Sequence, residues 1–246
     1  MTAITDADQA NEHQRPPWGY LATFGWVVLA LTLSVLGWLP VRVAIRPEIL
    51  VDRTGARGDG VLLAVSVILS AAIHIGVLAL AARLARWPVA AYLGLVRPSN
   101  RHVAIGIAAL AVLLLALDAA SRLVGWHGGK FTVDSYRSAR DTGALPLFLF
   151  SVIFVGPLYE EIVFRGFLFR GWIRSARSAV PGILIITALF TILHMPQYDW
   201  FGIVQLSLIG LLLCWARWLS GSTILTILLH ALMNLWAIAT VGLALS

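Results

Sequence analysis

An all-α, polytopic transmembrane bundle of about seven spans is the fold class this sequence predicts, and three observations predict it. Of 246 residues, 59% are hydrophobic and only 12% charged, with a mean hydropathy of +0.86; an ordinary soluble domain carries roughly 25% charged residues. Apolar runs near the roughly 20 residues that cross a hydrocarbon core as helix recur along the whole chain. Most ionisable residues within those runs fall between positions 160 and 234, and carboxylates held at membrane depth are costly unless they serve a purpose.

Taken in order, the runs 20–41, 61–82 and 103–124 read as the first three spans, and 145–163, 201–219 and 223–245 as three more. Between them lies the shorter run 182–195, bounded by Pro181 and Pro196, which reads as a short span or a re-entrant piece. The longest polar segments are 1–19 and 125–143, read as a tail and a loop. No internal repeat or low-complexity linker interrupts the pattern, so the chain is one membrane domain. It divides into a polar tail (1–19), N-terminal transmembrane helices and loops (20–144) and a polar-residue-bearing transmembrane core (145–246).

The tail sets Asp6, Asp8 and Glu12 against Arg15, so it lacks the basic n-region of a cleaved signal peptide and the first span is expected to be retained. A net charge of +6 and a pI near 10.2 raise nucleic acid as a partner. The basic residues sit instead in short loops beside the spans, where they anchor to lipid headgroups, and no nucleic-acid role is expected. Lys and Arg divide almost evenly between the two sides, with a slight excess beside the N-terminus that favours a cytoplasmic start. The single cysteine, Cys214, lies in an apolar run and excludes an internal disulfide or a cysteine-based metal site.

The ionisable residues within or beside the spans are His74, Asp118, Glu160, Glu161, Arg165, His194 and His230, with Asn234 as a neutral polar companion. Successive helical residues point about 100° apart, so Glu160 and Glu161 face different directions, while Glu161 and Arg165 at i and i+4 can touch. A paired carboxylate is a poor base, which leaves Glu160 as the better candidate for chemistry. Pro157 cannot donate to the carbonyl of Ile153, and Gly156 loosens the same turn, so a local opening of the backbone is expected there. Phe190 and His194 share a face one turn apart near a helix end, and His230 and Asn234 share a face of the last span, whose helix is expected to be capped by Ser222. His74 and Asp118 read as a packed interhelical pair or as boundary residues rather than as a relay.

These three elements, Glu160-Glu161 with Arg165, Phe190 with His194, and His230 with Asn234, resemble in order and spacing the motifs of the CPBP family, the CAAX proteases and bacteriocin-processing enzymes also called Abi. The surrounding residues are similar too: Pro157 before the glutamates, Gly166 after Arg165, and a glycine-containing stretch from Gly210 to Ser222. The resemblance covers roughly residues 145–240; the earlier residues match in the stretch Tyr92 to Leu95 and in hydrophobicity alone. It implies an intramembrane endopeptidase with its active site in the C-terminal helices, cleaving a membrane-associated peptide or protein within a lipid bilayer. In that reading Glu160 and His194 activate water, His230 and Asn234 bind the oxyanion, and Glu161, Arg165 and Phe190 support the site. The compact chain is similar to prokaryotic members, which points to a multi-pass protein of the plasma membrane.

No cofactor is expected. Zinc is the alternative, because Glu160, His194 and His230 make a three-ligand set, although no His-Glu-x-x-His helix is present. A transporter would bury similar groups but calls for repeats and broken helices in both halves, and the polar clustering lies in one half. A non-catalytic immunity or scaffold protein would not require all four of Glu160, His194, His230 and Asn234. The sequence is silent on oligomeric state and on prenylation of the substrate.

Overall fold

A computed structural model describes residues 18–45, 59–126 and 129–245. The tail reading for 1–17 and the loop charges Arg46, Arg53 and Arg57 lie outside the described residues. The described chain forms helices α1 (Tyr20–Ile45), α2 (Gly60–Leu84), α3 (Val89–Tyr92), α4 (Asn100–Val124), α5 (Lys130–Asp141), α6 (Leu145–Trp172), α7 (Ala176–His194), α8 (Trp200–Ser220) and α9 (Thr223–Ala244), with no strand among the described residues. Seven of them, all but α3 and α5, are long and apolar enough to cross a membrane. The chain is a multi-pass membrane protein.

Polar residues at the start of the spans fix where they begin. Asp59 accepts from the backbone of Val61 and Leu62 at 2.9 and 3.0 Å, and Ser99, Asp199 and Ser222 do the same for α4, α8 and α9. Such caps satisfy amides that have no partner inside the helix. The run expected to be short or re-entrant is corrected here to a full span of 19 residues, α7. A reciprocal capping box between Ser175 and Ser178 starts this helix well before Pro181. The proline then falls in the second turn, where it forfeits one backbone bond without ending the helix. Residues 125–143 are likewise more than a loop: α5 buries Ser135 and Ala139, one turn apart, and lies against α2, α6 and α9.

At the centre stands α6, packed against α1, α2, α7, α8 and α9. Half of its apolar window is buried within the protein, against 11% for α1 and α4, whose exposed leucines and valines face lipid. It also runs past the expected end at 163 to Trp172, because the charge of Arg165 is turned inward rather than marking a membrane boundary. Two wide π turns, Ser151–Val155 and Ile162–Leu168, flank the α-helical segment Gly156–Glu161. Such turns leave carbonyls open to side-chain donors and are frequent at functional sites.

Candidate active site

The carboxylate that anchors the site is Glu161. Its Oε1 accepts from Arg165 Nη1 at 2.9 Å and from His230 Nδ1 at 2.8 Å, and both Glu161 and Arg165 are fully buried. The second arm of the guanidinium donates to the carbonyl of Gly210 on α8 at 3.0 Å, and its plane lies 4.7 Å from the centre of the Phe190 ring. One planar cation thus joins α6, α7 and α8, a task suited to the rigid fork of arginine. Phe190 is itself fully buried, its ring 4.6 Å from that of His194 and 6.1 Å from that of His230.

Glu160 turns the other way and meets both histidines. Its Oε2 lies 3.9 Å from His194 Nε2 and 3.9 Å from His230 Nε2. The side chains of Glu160 and His194 keep 17% and 18% of their surface exposed, whereas His230 keeps 4%, so the cluster opens between Glu160 and His194. His194 Nδ1 lies 2.8 Å from the Phe190 carbonyl. A carbonyl only accepts, so that nitrogen carries the proton and Nε2 presents a lone pair to Glu160. The Glu161 carboxylate imposes the same assignment on His230, whose Nε2 gains a proton only in the imidazolium. Both rings are therefore locked in orientation by their far nitrogens.

Asn234 does not reach the histidine–glutamate cluster through any hydrogen bond of its own. Its amide donates to the carbonyl of Val152 at 2.7 Å. The reason lies in the proline. The Gly156 amide bonds back five residues to Ser151, and in that register the next amide would bond to Val152. Position 157 is proline and has no N–H, so Asn234 supplies the missing donor. The opening expected at Gly156 and Pro157 is thus a π turn closed by a side chain of α9, and one amide proton of Asn234 is left for other partners.

Two supporting groups escape a reading of sequence alone. Arg217, placed among the headgroup-facing charges, is corrected to a buried residue: its Nε donates to the Arg165 carbonyl at 2.9 Å and to Thr223 Oγ1 at 3.1 Å, and its guanidinium lies 5.0 Å over Phe169. Thr223 in turn donates to the Leu93 carbonyl at 2.6 Å, and its amide bonds to Gly94. Gly94 has φ +65 and a face that abuts Arg217, which accounts for the glycine in the Tyr92–Leu95 stretch. A lone cation in an apolar run was the available signal, the same one that singles out Glu160. The second group is His74, which is buried on α2 with its ring 5.3 Å from that of Tyr159 beside Glu160, while Asp118 pairs with Arg122 at 2.9 Å. Of the two readings given for them, the interhelical pair is not formed: each residue finds its neighbour elsewhere.

Outside the spans, the connection from α7 to α8 is tied to that from α4 to α5. Asp199 caps α8 through the Gly202 amide at 2.8 Å and accepts from Trp126 Nε1 at 2.7 Å, and these bonds hold its carboxyl below the ordinary aspartate value of 3.8. Tyr198 sits beneath, its ring 6.5 Å from His194, and burial pushes its phenol up.

Zinc would need its nitrogen and oxygen donors about 2.0–2.2 Å from one ion, hence roughly 3.3 Å from each other in a tetrahedron. The separations of 3.9 Å around Glu160 Oε2 are wider, and no group of three His, Cys, Asp or Glu among the described residues is placed to hold a metal.

Residues 142–236 match the family described as Rce1-like, type II CAAX prenyl endopeptidase. No curated protein and no solved structure matches the chain.

Proposed function

We propose that this chain is an intramembrane peptide-bond hydrolase, a reading supported by the match of residues 142–236 to the Rce1-like type II CAAX prenyl endopeptidases, and that it uses Glu160 as its general base on a water shared with His194. The observation that carries this reading is the 3.9 Å gap between Glu160 Oε2 and His194 Nε2, two acceptors facing each other at the exposed edge of the site. A water about 2.8 Å from both would donate to each and keep a lone pair for attack.

The proton passes from that water to the Glu160 carboxylate while the oxygen adds to the scissile carbonyl carbon. The tetrahedral oxyanion that forms is bound by His230 Nε2, donating as the imidazolium with Glu161 as its counter-charge, and by the second amide proton of Asn234. Glu160, now a carboxylic acid, returns the proton to the leaving amine as the C–N bond breaks. Glu161, Arg165 and Phe190 hold the helices that carry these groups and take no proton. The substrate is a membrane-associated peptide or protein, reached from within the bilayer of a prokaryotic plasma membrane, and nucleic acid has no part in the reaction.

Cleavage of fluorogenic peptides with and without a lipidated cysteine, by detergent-purified wild type and Glu160→Ala, tests this, each with and without a zinc chelator. Turnover lost in Glu160→Ala and indifferent to chelator is the expected result. Loss with chelator and recovery with zinc would make Glu160, His194 and His230 ligands instead.

A further inference from the structure

We propose that His74 and Tyr159 are positioning residues for Glu160, holding its carboxylate from the α2 side, opposite the two histidines. This rests on Glu160 being the general base.

A buried imidazole needs partners, and an aliphatic side chain would fill the same space without that need. His74 is 3% exposed and spends Nδ1 on the Ser70 carbonyl at 2.7 Å. The carbonyl accepts, so the proton is on Nδ1, and Nε2 is the nitrogen left for other contacts. The ring stands 5.3 Å from that of Tyr159, tilted by 34°. Tyr159 directly precedes Glu160 on α6, so the ring that meets His74 leaves the same helical turn as the carboxylate.

The two oxygens of Glu160 face in different directions. Oε2 points to the histidines of α7 and α9. Oε1 lies on the α2 side: a Cβ built on Gly156 would sit 4.0 Å from it and 3.9 Å from Val67 Cγ1. Val67 and His74, two turns apart on α2, share a helix face. A Tyr159 O–H donating to Oε1 from this side leaves Oε2 as the oxygen directed at the water. Because a catalytic group must be held within about 0.5 Å of its productive position, a carboxylate fixed on one side only would lose rate.

The primary readout needs no substrate. The carboxylate stretching band of Glu160 is assigned from the infrared difference between wild type and Glu160→Gln in detergent. Tyr159→Phe and His74→Ala are each expected to shift that band, and the double variant to shift it no further. With a cleavable peptide, each single variant should lose about tenfold in kcat with KM unchanged, the pattern of misplacement rather than lost binding. An unmoved band in Tyr159→Phe, which keeps the ring and so the packing, would overturn the proposal even if His74→Ala fails to fold. So would a shifted band with kcat intact. Turnover surviving in Glu160→Gln would instead remove the general-base reading, whatever the band does.

Discussion

Arg165 and His230 donate to a single oxygen, Glu161 Oε1, at 2.9 and 2.8 Å. A carboxylate adjacent in sequence to the proposed base therefore sets the orientation of the proposed oxyanion donor on another helix, while cancelling a buried positive charge on its own.

Removing one member of such a buried pair leaves the other charge uncompensated, at a cost of about 3–5 kcal/mol. Glu161→Ala and Arg165→Ala should each lower the melting temperature and the purified yield. The double variant Glu161→Met/Arg165→Met should recover part of that stability, since two apolar groups replace the pair. It should stay inactive because His230 has lost its acceptor. Thermal melts in detergent and a peptidase assay on the same samples check this. A double variant no more stable than the worse single one would contradict it.

Glu160 presents the contrary case. Its Oε2 lies 3.9 Å from both histidines and makes no close ion pair. Glu160→Ala should thus fold with a melting temperature at or above that of wild type, as often follows when a site residue kept for activity is removed. Turnover should fall by roughly 10²–10⁴-fold. Parallel loss of yield in Glu160→Ala and Arg165→Ala would erase the distinction drawn between the two carboxylates.

The contrast between those carboxylates is legible in the sequence because helical geometry alone separates neighbours and joins i with i+4. The seven spans are legible for an equally local reason, since each is a run of apolar residues of membrane-crossing length. What depends on packing is not. The first π turn of α6 is announced by Gly156 and Pro157, but the second, Ile162–Leu168, has no comparable local signal in the sequence. The His230 bond to Glu161, the burial of Arg217 and the place of His74 beside Tyr159 each join residues far apart in the chain. Helix α5 was hidden by its composition: a polar surface helix reads as a loop when judged by hydropathy.

Gly94 marks one of these long-range joints. With φ +65 and its open face against the Arg217 guanidinium and Thr223 Oγ1, it admits no side chain without displacing the arginine from the Arg165 carbonyl. Gly94→Ala should cost at least the roughly 1–3 kcal/mol of a left-handed non-glycine residue. The loss would be read as a fall in melting temperature. A neutral result would place Arg217 outside the structural support of the site.

Acid should loosen the connection that Asp199 ties to Trp126. Asp199 holds its cap on Gly202 and its bond from Trp126 as the carboxylate, and its folded value is depressed below 3.8. A depressed carboxylate contributes stability that is present above the unfolded value and is lost as pH falls through the folded one. The melting temperature of wild type should therefore drop below about pH 4, and Asp199→Asn should flatten that limb. The group is exposed, so the effect is small, and melts across the acid range resolve it. An identical acid limb in the variant would assign the drop to another carboxylate.

Asn234 carries two roles that a pair of substitutions can separate. Its amide donates to the Val152 carbonyl, the acceptor that Pro157 leaves without a backbone donor. Asn234→Ala should therefore cost about 1–3 kcal/mol for an orphaned buried carbonyl. Pro157→Ala restores an N–H in the register set by Gly156, so the same Asn234→Ala change should cost less in that background. The oxyanion role would show itself differently. A loss of roughly 10²–10³ in kcat on removing an oxyanion donor should persist in the Pro157→Ala background, because a backbone bond to Val152 does nothing for the tetrahedral intermediate. Thermal melts and kcat measured on the four proteins of this cycle give the two quantities independently. If stability is additive across the cycle, the amide and the proline do not share the Val152 carbonyl, and if kcat recovers with stability, Asn234 supports the fold alone.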